Sequence, residues 1–468
     1  MSEEATLDDF AEEQREGNNE AIEAVLESSV KSSLDETSVG KIPEDWIATR
    51  LENIAEETEY GLTESAEDYD PDKPRYIRTQ DFDDFGGLKE DSRASLSHEK
   101  AKDGMLEKGD MLFARSGSVG ASLGKTYLYD SDDGDCCFGG YSIRHQLQDA
   151  GLNHKYISEY TLSDRYWDWV RRRAKTTAQS NINTGEYGSL LLPIPPLPEQ
   201  RKIATVLYTV DRAIENAEEI DVQLQRVKKG ATQKLFTYGL NNEDTQSHHI
   251  GDFPQGWEFD KVSNLAEIER GNTPRTSHDE YYGGDLAWVT PDDLSDLNEE
   301  GNGKYISDSG RKLTPEGVES SSLTVVEPDS VMFTSRSYGI GRTAICTVPA
   351  ATNQGITAFE CGESLDTEFF YYYFNYIMDY VVSISGGSTF PEISKSATGN
   401  IDVPVPRIEE QKEIASLLSQ FDEQILHNRE VTSQLKRLKR GLMQDFLSGT
   451  VRTTDTNIEV PDEIAQHG

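Results

Sequence analysis

Two long stretches of the chain carry apolar residues at helical spacing, one near the middle and one near the end. The apolar positions of the first stretch are Ile203, Leu207, Val210, Ile214 and Leu224. Those of the second stretch are Ile414, Leu418, Phe421, Ile425 and Leu435. This spacing predicts two helices of roughly 35–40 residues, each about 50–60 Å long. Because a long helix with one apolar face must bury that face, each helix needs a partner.

The natural partner of each long helix is the other one. Polar residues interrupt both apolar faces, and Asp221 and Lys228 of the first helix match Thr432 and Lys439 of the second. Such matching interruptions indicate a shared seam with a set register. We therefore expect the two helices to pair with each other along this seam. Two unrelated helical hairpins remain the alternative.

The segments before each helix have a different pattern. Short β-branched and aromatic runs alternate with Gly and Asp turns, which is typical of an α/β or α+β globular domain. The proline-rich run "LLPIPPLP" then forms a stiff connector into the first helix. The predicted parts are an acidic, disordered extension (1–38), a first globular domain (39–192), a helical region (193–240), a linker (241–250), a second globular domain (251–403), a second helical region (404–450) and a C-terminal tail (451–468).

The two halves of the chain repeat one another at an offset of 211 positions, the difference between Gln200 and Gln411. In the first half "PLPEQRKIATVL" matches "RIEEQKEIASLL" of the second half, and "VGKIPEDW" matches "IGDFPQGW". The register slips between these anchors, because Arg115 and Arg336 match at an offset of 221. A repeat this long is a duplicated domain pair, far longer than a solenoid unit, so one architecture is used twice.

The charge of the chain limits its possible partners. The 468 residues carry a net charge of −40, and only 35% of them are hydrophobic. The acidic residues are spread along the chain, which favours adaptation to molar salt, as in halophilic proteins, over mimicry of DNA. At about 1 M salt the Debye length is about 3 Å, so the net charge does not exclude a polyanionic partner.

Signatures of catalysis, metal binding and membrane insertion are missing from the sequence. The run "GSVGASLGKT" lacks the four-residue spacing of a phosphate-binding loop, and the eight His residues form no metal-ligand motif. Four Cys residues without CxxC spacing predict reduced thiols and a cytoplasmic location. No apolar run reaches the length of about 18 residues that a membrane helix needs. We therefore expect no catalytic residue, no metal and no cofactor.

With the repeat laid out, the sequence resembles the specificity subunit of Type I restriction–modification enzymes over about residues 38–450. The resemblance rests on the Gly-x-x-Pro-x-x-Trp runs that open both globular domains and on the Glu-Gln pairs that open both helices. It implies two target recognition domains that each read one half of a split DNA site. It also implies that the two long helices pair as an antiparallel coiled coil with pseudo-two-fold symmetry and fix the unread spacer. The acidic extension and the net charge depart from the family pattern.

The resemblance also implies partners. These are double-stranded DNA, two methyltransferase subunits docked on the helical regions, and motor-nuclease subunits that join this core. The chain itself would be a non-catalytic recognition subunit of a complex that methylates adenine N6 and cleaves DNA. An acidic scaffold or decoy that binds the methyltransferase and no DNA remains the alternative.

The candidate DNA-reading side chains are polar residues that the pattern places in loops of the globular domains. In the first domain they are Arg75, Arg78, Gln80, Arg115, Ser116, Gln179, Asn181 and Asn183. In the second domain they are Asn272, Arg275, Arg336, Tyr338, Asn353 and Gln354. Arg115 and Arg336 are the first choice, because both follow an apolar strand at equivalent places beside Ser and Gly. For each, the simpler alternative is a surface ion pair with one of the many carboxylates.

Overall fold

The computed structural model describes residues 41–89, 91–130, 134–174, 180–299, 303–336, 339–386 and 391–466. The predicted acidic extension lies outside the described residues. The chain divides into two compact units. The first unit combines residues up to Glu215 with residues Gln434–Gly468, and the second unit is the continuous segment Asn216–Ser433.

Two helices are much longer than the others. In chain order the α-helices of the described residues are α1 (Leu51–Ile54), α2 (His98–Ala101), α3 (His154–Thr161), α4 (Asp164–Arg173), α5 (Thr184–Gly188), α6 (Leu197–Tyr238), α7 (Val262–Leu265), α8 (Pro291–Glu299), α9 (Pro315–Ser320), α10 (Thr367–Tyr376), α11 (Met378–Ser383), α12 (Lys395–Gly399), α13 (Ile408–Phe446) and α14 (Asp462–Ala465). Helix α6 has 42 residues and α13 has 39, so the two long helices predicted from apolar spacing are confirmed. Within the described ranges, no helix is both long and apolar enough to cross a membrane.

The strands are short and fall into two groups. Those of the first unit are β1 (Ile47–Arg50), β2 (Ala55–Tyr60), β3 (Arg75–Ile77), β4 (Asp110–Ala114), β5 (Ser116–Gly117), β6 (Thr126–Leu128), β7 (Cys136–Phe138), β8 (Ser142–Leu147), β9 (Ser180–Asn181) and β10 (Leu191–Ile194). Those of the second unit are β11 (Thr245–His248), β12 (Gly251–Pro254), β13 (Glu258–Lys261), β14 (Ala266–Arg270), β15 (Tyr282–Val289), β16 (Tyr305–Ile306), β17 (Lys312–Leu313), β18 (Ser330–Thr334), β19 (Thr343–Cys346), β20 (Ala350–Thr352), β21 (Ile356–Cys361) and β22 (Asp402–Val405).

Each globular domain is built around a buried central strand. In the first domain, β4 is buried along its whole length within the antiparallel sheet β2-β8-β4-β6. In the second domain, β18 is likewise buried, within the sheet β14-β21-β18-β19-β16. Full burial on both faces explains why these strands read as continuous apolar runs in the sequence. The predicted mixture of helices and sheets, used twice, is confirmed.

An antiparallel strand pair closes each domain where the chain enters and leaves it. Ile47 of β1 lies opposite Ile194 of β10 in the first domain. Glu258 of β13 lies opposite Val405 of β22 in the second. Both residues of the second pair follow those of the first at the 211-residue offset of the repeat. The duplicated sequence anchors therefore encode the same closure in both domains.

Within each unit, the segments of α6 and α13 run antiparallel. In the first unit, Nζ of Lys439 in α13 lies 2.7 Å from Oδ2 of Asp211 in α6. In the second unit, Lys228 of α6 forms an ion pair with Asp422 of α13. The two ion pairs correspond to each other at the 211-residue offset, with the helices exchanged. The expected antiparallel pairing is confirmed. Three of the four polar interruptions, Asp221, Lys228 and Lys439, form ion pairs with the other helix, whereas Thr432 bonds to a carbonyl of its own helix.

The predicted seam residues are buried to different degrees. Ile203, Leu207, Ile214, Ile414, Leu418 and Ile425 are buried, whereas Val210, Leu224, Phe421 and Leu435 are half-buried. The first turns of α6 pack into the core of the first domain beside Met443 and Phe446 of α13. The first turns of α13 pack into the core of the second domain beside Phe236 of α6. The apolar faces of the long helices therefore complete the domain cores as well as the helix pair.

The repeated Gln at the start of each long helix fixes that helix to its globular domain. Gln200 is fully buried, and its Oε1 accepts a hydrogen bond of 2.8 Å from the backbone N–H of Asn153. Its Nε2 donates to the carbonyls of Gly151 and Pro195. Gln411 makes the same three bonds in the second unit. Buried backbone N–H and carbonyl groups must have hydrogen-bond partners, and the Gln side chain provides one for each of three such groups in the adjoining loops.

The repeated Trp and Glu are two halves of one contact. In the first unit, Nε1 of Trp46 donates to Oε2 of Glu199 at 3.1 Å. In the second, Nε1 of Trp257 donates to Oε1 of Glu410 at 3.3 Å. Although burial opposes ionisation, hydrogen bonds led by that of Arg452 lower the pKa of Glu199, whereas burial raises the pKa of Glu410. The two sequence signatures that carried the family resemblance are thus joined in the folded scaffold.

Residues 451–466, predicted as a C-terminal tail, pack on the first unit. Arg452 lies 2.8 Å from the carboxylate of Glu199. Nδ2 of Asn153 donates to the carbonyl of Ile464 at 2.8 Å, and the Ile464 side chain is buried in the core of the first domain. This segment is therefore a structural part of the first unit.

Candidate nucleic-acid interface

Three predicted DNA-reading residues of the first domain lie together at the end of β4. Arg115 follows this strand directly, and Ser116 in β5 pairs with Asn181 in β9. The guanidinium of Arg115 lies 4.6 Å from the centre of the Tyr60 ring and donates to a backbone carbonyl at 3.2 Å. Tyr141 precedes β8 beside them and is 69% exposed. We call this group of five residues the first-domain patch.

The first-domain patch has the chemistry of a nucleic-acid contact. Stacking on Tyr60 holds the Arg115 guanidinium in a fixed plane and leaves its charge in place. Among the residues that the structure describes, no carboxylate lies within 4 Å of this guanidinium, so the simpler alternative of a surface ion pair is not met there.

The other candidates of the first domain lie apart from the patch or already have partners. Arg75 lies in β3 and not in a loop, as the sequence had suggested, and it is 6% exposed. Arg78 forms an ion pair of 2.9 Å with a carboxylate three residues along the chain. Asn183 is exposed and caps α5 with its side chain, and Gln80 is exposed. Gln179 lies outside the described residues.

In the second domain, Asn272, Asn353 and Gln354 lie where the end of β14 meets the loop between β20 and β21. The backbone N–H of Asn272 donates at 3.0 Å to a carbonyl at the end of β20. The side chain of Asn353 accepts a bond of 2.7 Å from a backbone N–H within its own loop, while Gln354 is exposed. Arg275 is exposed further along the chain. Tyr338 lies outside the described residues.

The expectation that Arg115 and Arg336 occupy equivalent places is wrong by one residue. Backbone hydrogen bonds fix the position of Arg115 in the first domain. Its N–H donates to the carbonyl of Tyr141 at 2.9 Å, and its carbonyl accepts a bond of 2.8 Å from the N–H of Ile182. The residue with the corresponding bonds in the second domain is the structural equivalent of Arg115.

That residue is Ser335. Its N–H donates to the carbonyl of Gly355 at 2.8 Å, and its carbonyl accepts a bond of 2.9 Å from the N–H of Ile393. Arg336 is the next residue, and a step of one along an extended chain turns the side chain to the opposite face. The Arg336 side chain is 48% exposed, with Nε 3.5 Å from a carboxylate oxygen of Glu392. The ion-pair alternative is therefore met at Arg336, and it is also met at Arg270 of the same domain, which lies 3.0 Å from Glu392.

The second domain supplies a guanidinium at this place from the neighbouring strand. Nη2 of Arg270, the last residue of β14, lies 3.3 Å from Oγ of Ser335 and 3.0 Å from Oε1 of Glu392. Strand pairing gives Arg270 the position that Tyr60 holds in the first domain. In the first domain the cation Arg115 follows the central strand and stacks on Tyr60 of the neighbouring strand. In the second domain the cation Arg270 is on the neighbouring strand and bonds to Ser335, which follows the central strand.

A glycine after each of these residues supports the equivalence. A Cβ on Gly61 would lie 2.4 Å from a backbone oxygen of the facing loop, and a Cβ on Gly271 would lie 1.8 Å from one. Only glycine allows the backbones to approach so closely. The sequence contained a signal for this equivalence, because "EYG" and "ERG" each mark the end of a strand. The two runs are 210 residues apart, one less than the offset of the repeat, so the alignment at 211 did not match them. We call Arg270, Asn272, Arg336, Asn353 and Gln354 the second-domain patch.

Comparisons with known proteins find the repeat in a single family model. The model described as "Type I restriction modification DNA specificity domain" matches residues 43–226 and again residues 254–437. Each match begins at the strand pair that closes a globular domain and extends into the long helix that follows. Both patches lie within the matched ranges.

Two curated relatives come from Methanocaldococcus jannaschii. The specificity subunit of the Type I restriction enzyme MjaIX is 35% identical over 199 residues, which is 42% of this chain and 45% of that protein. The putative MjaX specificity subunit is 26% identical over 450 residues, which is 92% of this chain and 99% of that protein. The chain thus matches less than half the length of the first relative and nearly all of the second.

Two solved structures share the fold with a TM-score of 0.54 each. The Type-I restriction-modification system S subunit from M. genitalium is 16% identical, and the match covers 89% of this chain and 98% of that one. A chain solved in work on complex assembly and conformational transition of the type I R-M system is 19% identical, with 88% and 100% covered. At these identities the similarity concerns the fold alone.

Proposed function

The chain belongs to the Type I restriction–modification DNA specificity family, and from this premise we propose that it is the non-catalytic DNA-recognition subunit of such a complex. Each globular domain reads one half of a bipartite DNA site. The observation that carries the proposal is the twofold match to the family model, with an arginine-containing patch within each matched range. To the paired helices we assign the part of the DNA site that neither domain reads.

The chemistry of the two patches supports base readout. A guanidinium held in a fixed plane can donate two parallel hydrogen bonds to O6 and N7 of guanine, the most frequent specific contact in the major groove. Asn and Gln side chains such as Asn181 and Gln354 can pair with adenine in the same way. Because the guanidinium comes from Arg115 in one domain and from Arg270 in the other, the two half-sites are expected to differ in sequence.

The partners of the chain are two methyltransferase subunits and a motor-nuclease component. Both long helices keep large apolar side chains in water, which favours protein contact at these positions. They are Ile220, Val222 and Val227 on α6, and Leu417, Leu426 and Leu438 on α13. The five of them that lie between residues 216 and 433 form a docking surface for the methyltransferase on the second unit.

The strong negative charge is an adaptation to high salt in the cytoplasm. At a Debye length of about 3 Å, distant carboxylates no longer repel DNA, and only groups in direct contact with the phosphates matter. The four cysteines are free thiols in the structure, which suits a reducing compartment.

An exchange of one globular domain tests the proposal. Residues 41–190 are replaced by the corresponding domain of another specificity subunit, and the complex with its methyltransferase is assembled in high KCl. Sequencing of methylated adenines should show that one half of the recognition site has changed while the other half and the spacer are kept. A change in both halves would contradict the assignment of one half-site to each domain. A complex that methylates no defined site would favour the decoy alternative.

A further inference from the structure

Two histidines and an aspartate that are far apart in the sequence meet in the second unit. His248 is the last residue of β11, His249 follows it in the hairpin to β12, and Asp402 is the first residue of β22. One ligand atom from each of the three side chains lies within 4.8 Å of the others. The sequence alone gave no metal motif here, because the two histidines belong to the predicted linker and the aspartate lies more than 150 residues away.

The distances between these atoms suit a shared metal ion better than a direct hydrogen bond. Nε2 of His248 lies 3.5 Å from Oδ2 of Asp402, and Nε2 of His249 lies 3.7 Å from the same oxygen. A hydrogen bond between imidazole and carboxylate would be about 2.7–2.9 Å long. Ligands at about 2.0–2.1 Å from a tetrahedral Zn²⁺ lie roughly 3.3–3.5 Å apart. The observed spacing is therefore within a few tenths of an ångström of that expected for two ligands of one ion.

The surroundings hold the aspartate in the orientation that a ligand needs. Nζ of Lys261 lies 2.5 Å from Oδ1 of Asp402, so Oδ2 is the oxygen that faces the histidines. The hydroxyl of Tyr373 donates to the backbone carbonyl of Asp402 at 2.6 Å. Such contacts behind a ligating carboxylate fix its position and raise metal affinity.

The two imidazoles are also held in place. The His248 ring stacks on Phe259 with the ring centres 4.2 Å apart and an interplanar angle of 4°. Nε2 of His249, a proposed ligand atom, lies 3.3 Å from the hydroxyl of Tyr380, and the ion replaces this contact when it binds. The backbone N–H of Ile250 donates a long hydrogen bond of 3.5 Å to Nδ1 of His248. Metal binding through Nε2 requires the proton on Nδ1, so this weak bond is lost when the ion binds.

We propose that His248, His249 and Asp402 bind a divalent transition-metal ion, Zn²⁺ in the first instance, through two imidazole nitrogens and one carboxylate oxygen. A set of three nitrogen and oxygen ligands leaves a fourth tetrahedral position for water. The ion fastens the hairpin β11–β12, which follows the end of α6, to the strand pair β13–β22 that closes the second domain. Its role is structural, and it is independent of which DNA sequence the chain recognises.

Metal retention by the full-length chain tests the site. The protein is stripped with EDTA, given Zn²⁺, and passed through gel filtration in high KCl with excess Mg²⁺, which displaces ions held loosely by surface carboxylates. Elemental analysis should find one Zn²⁺ per wild-type chain and none in the double variant His248→Ala/His249→Ala. Asp402→Asn keeps the shape of the side chain but loses its charge, and we expect its Zn²⁺ affinity to fall about tenfold or more.

The matched control is His278→Ala. His278 lies in the same unit and forms an ion pair of 2.7 Å with Glu280, so the control removes a histidine–carboxylate pair that has no third ligand. It should retain its Zn²⁺. Equal retention by the wild type and the double variant, or no retention by the wild type, would overturn the proposal. Should the double variant fail to fold, Co²⁺ replaces Zn²⁺ in the wild type, and the absence of the absorption bands of tetrahedral Co²⁺ would overturn it equally.

Discussion

The cluster of Glu159, Asp211 and Lys439 in the first unit makes the stability of the helix pair depend on pH. One ammonium group serves two carboxylates, because Nζ of Lys439 lies 2.7 Å from Asp211 and 3.2 Å from Glu159. Burial, reinforced by the nearby charge of Glu159, raises the pKa of Asp211 from 3.8 to about 7. In the second unit, a tyrosine hydroxyl occupies the place of the second carboxylate.

The sign of the effect follows from the raised pKa. Asp211 holds its proton more tightly in the folded chain, so its contribution to stability is complete below the unfolded pKa of 3.8 and is lost as the pH rises through about 7. A difference of roughly three pH units corresponds to about 4 kcal/mol. About two of these three units lie between pH 5 and pH 7, so about 2–3 kcal/mol of the loss falls in that range. Since 22% of the Asp211 side chain is exposed, solvent screening places the expected loss at the lower end, about 2 kcal/mol.

The variant Glu159→Gln removes the competing charge and keeps the shape of the side chain. Lys439 then faces a single carboxylate, the pKa of Asp211 falls, and the loss of stability between pH 5 and pH 8 disappears. Urea unfolding of the full chain in constant KCl, followed by tryptophan fluorescence, measures the difference between variant and wild type. The unfolding free energy of the variant minus that of the wild type should be about 2 kcal/mol larger at pH 8 than at pH 5.

The second unit provides the control. There the hydroxyl of Tyr372 donates to Asp422 at 2.5 Å, and a tyrosine carries no charge in this pH range. The difference in unfolding free energy between Tyr372→Phe and the wild type should therefore be the same at pH 5 and pH 8. If the difference in unfolding free energy between Glu159→Gln and the wild type is also the same at pH 5 and pH 8, the reasoning about the shared ammonium is refuted.

Other predictions concern DNA reading and the scaffold. Arg115→Ala should cost about 1–3 kcal/mol of discrimination at one base pair of one half-site, measured as methylation across a library of site variants; an unchanged methylation pattern would remove Arg115 from the interface. Arg270→Ala should reduce sequence discrimination at the other half-site. Arg336→Ala should reduce it less, because Arg336 lies one residue beyond the position equivalent to Arg115. A larger effect of Arg336→Ala than of Arg270→Ala would support the equivalence of Arg115 and Arg336 expected from the sequence. Gln200→Ala and Gln411→Ala should each lower the free energy of unfolding by about 1–3 kcal/mol, because each leaves a buried backbone N–H without its partner. Gln225→Ala, on the exposed face of α6, serves as their control and should stay within about 0.5 kcal/mol in the same urea assay.

The repeated parts of the chain could be predicted because each repeated residue has one structural task. Gln200 satisfies a buried loop, Trp46 bonds to Glu199, and Lys439 pairs with Asp211, and each contact recurs in the other unit at the same offset. The residues that differ between the halves gave weaker signals. The register of Arg336 was misjudged because the loops between the anchors have different lengths, and a shift of one residue reverses the facing of a side chain.

The packing of the C-terminal segment and the meeting of two histidines with Asp402 had no signal in the local pattern. Both depend on which distant segments the fold brings together. Periodicity reports the burial of one face of one element and contains no information about its partners. For the same reason Arg270 was missed, since its relation to Arg115 exists only across neighbouring strands.

The division of the chain into one continuous unit and one split unit sets an order of events during synthesis. The buried core around Phe236 and Phe359 in the second unit draws all its residues from the continuous segment 216–433. The core of the first unit needs Met443, Phe446, Leu447 and Ile464, so the first domain stays incomplete until these residues, more than 200 positions further along the chain, have been translated. Domains usually mature in the order of their synthesis, and here that order is inverted. A premature stop shortly after residue 433 would leave the later-made half intact and the earlier-made half unfinished.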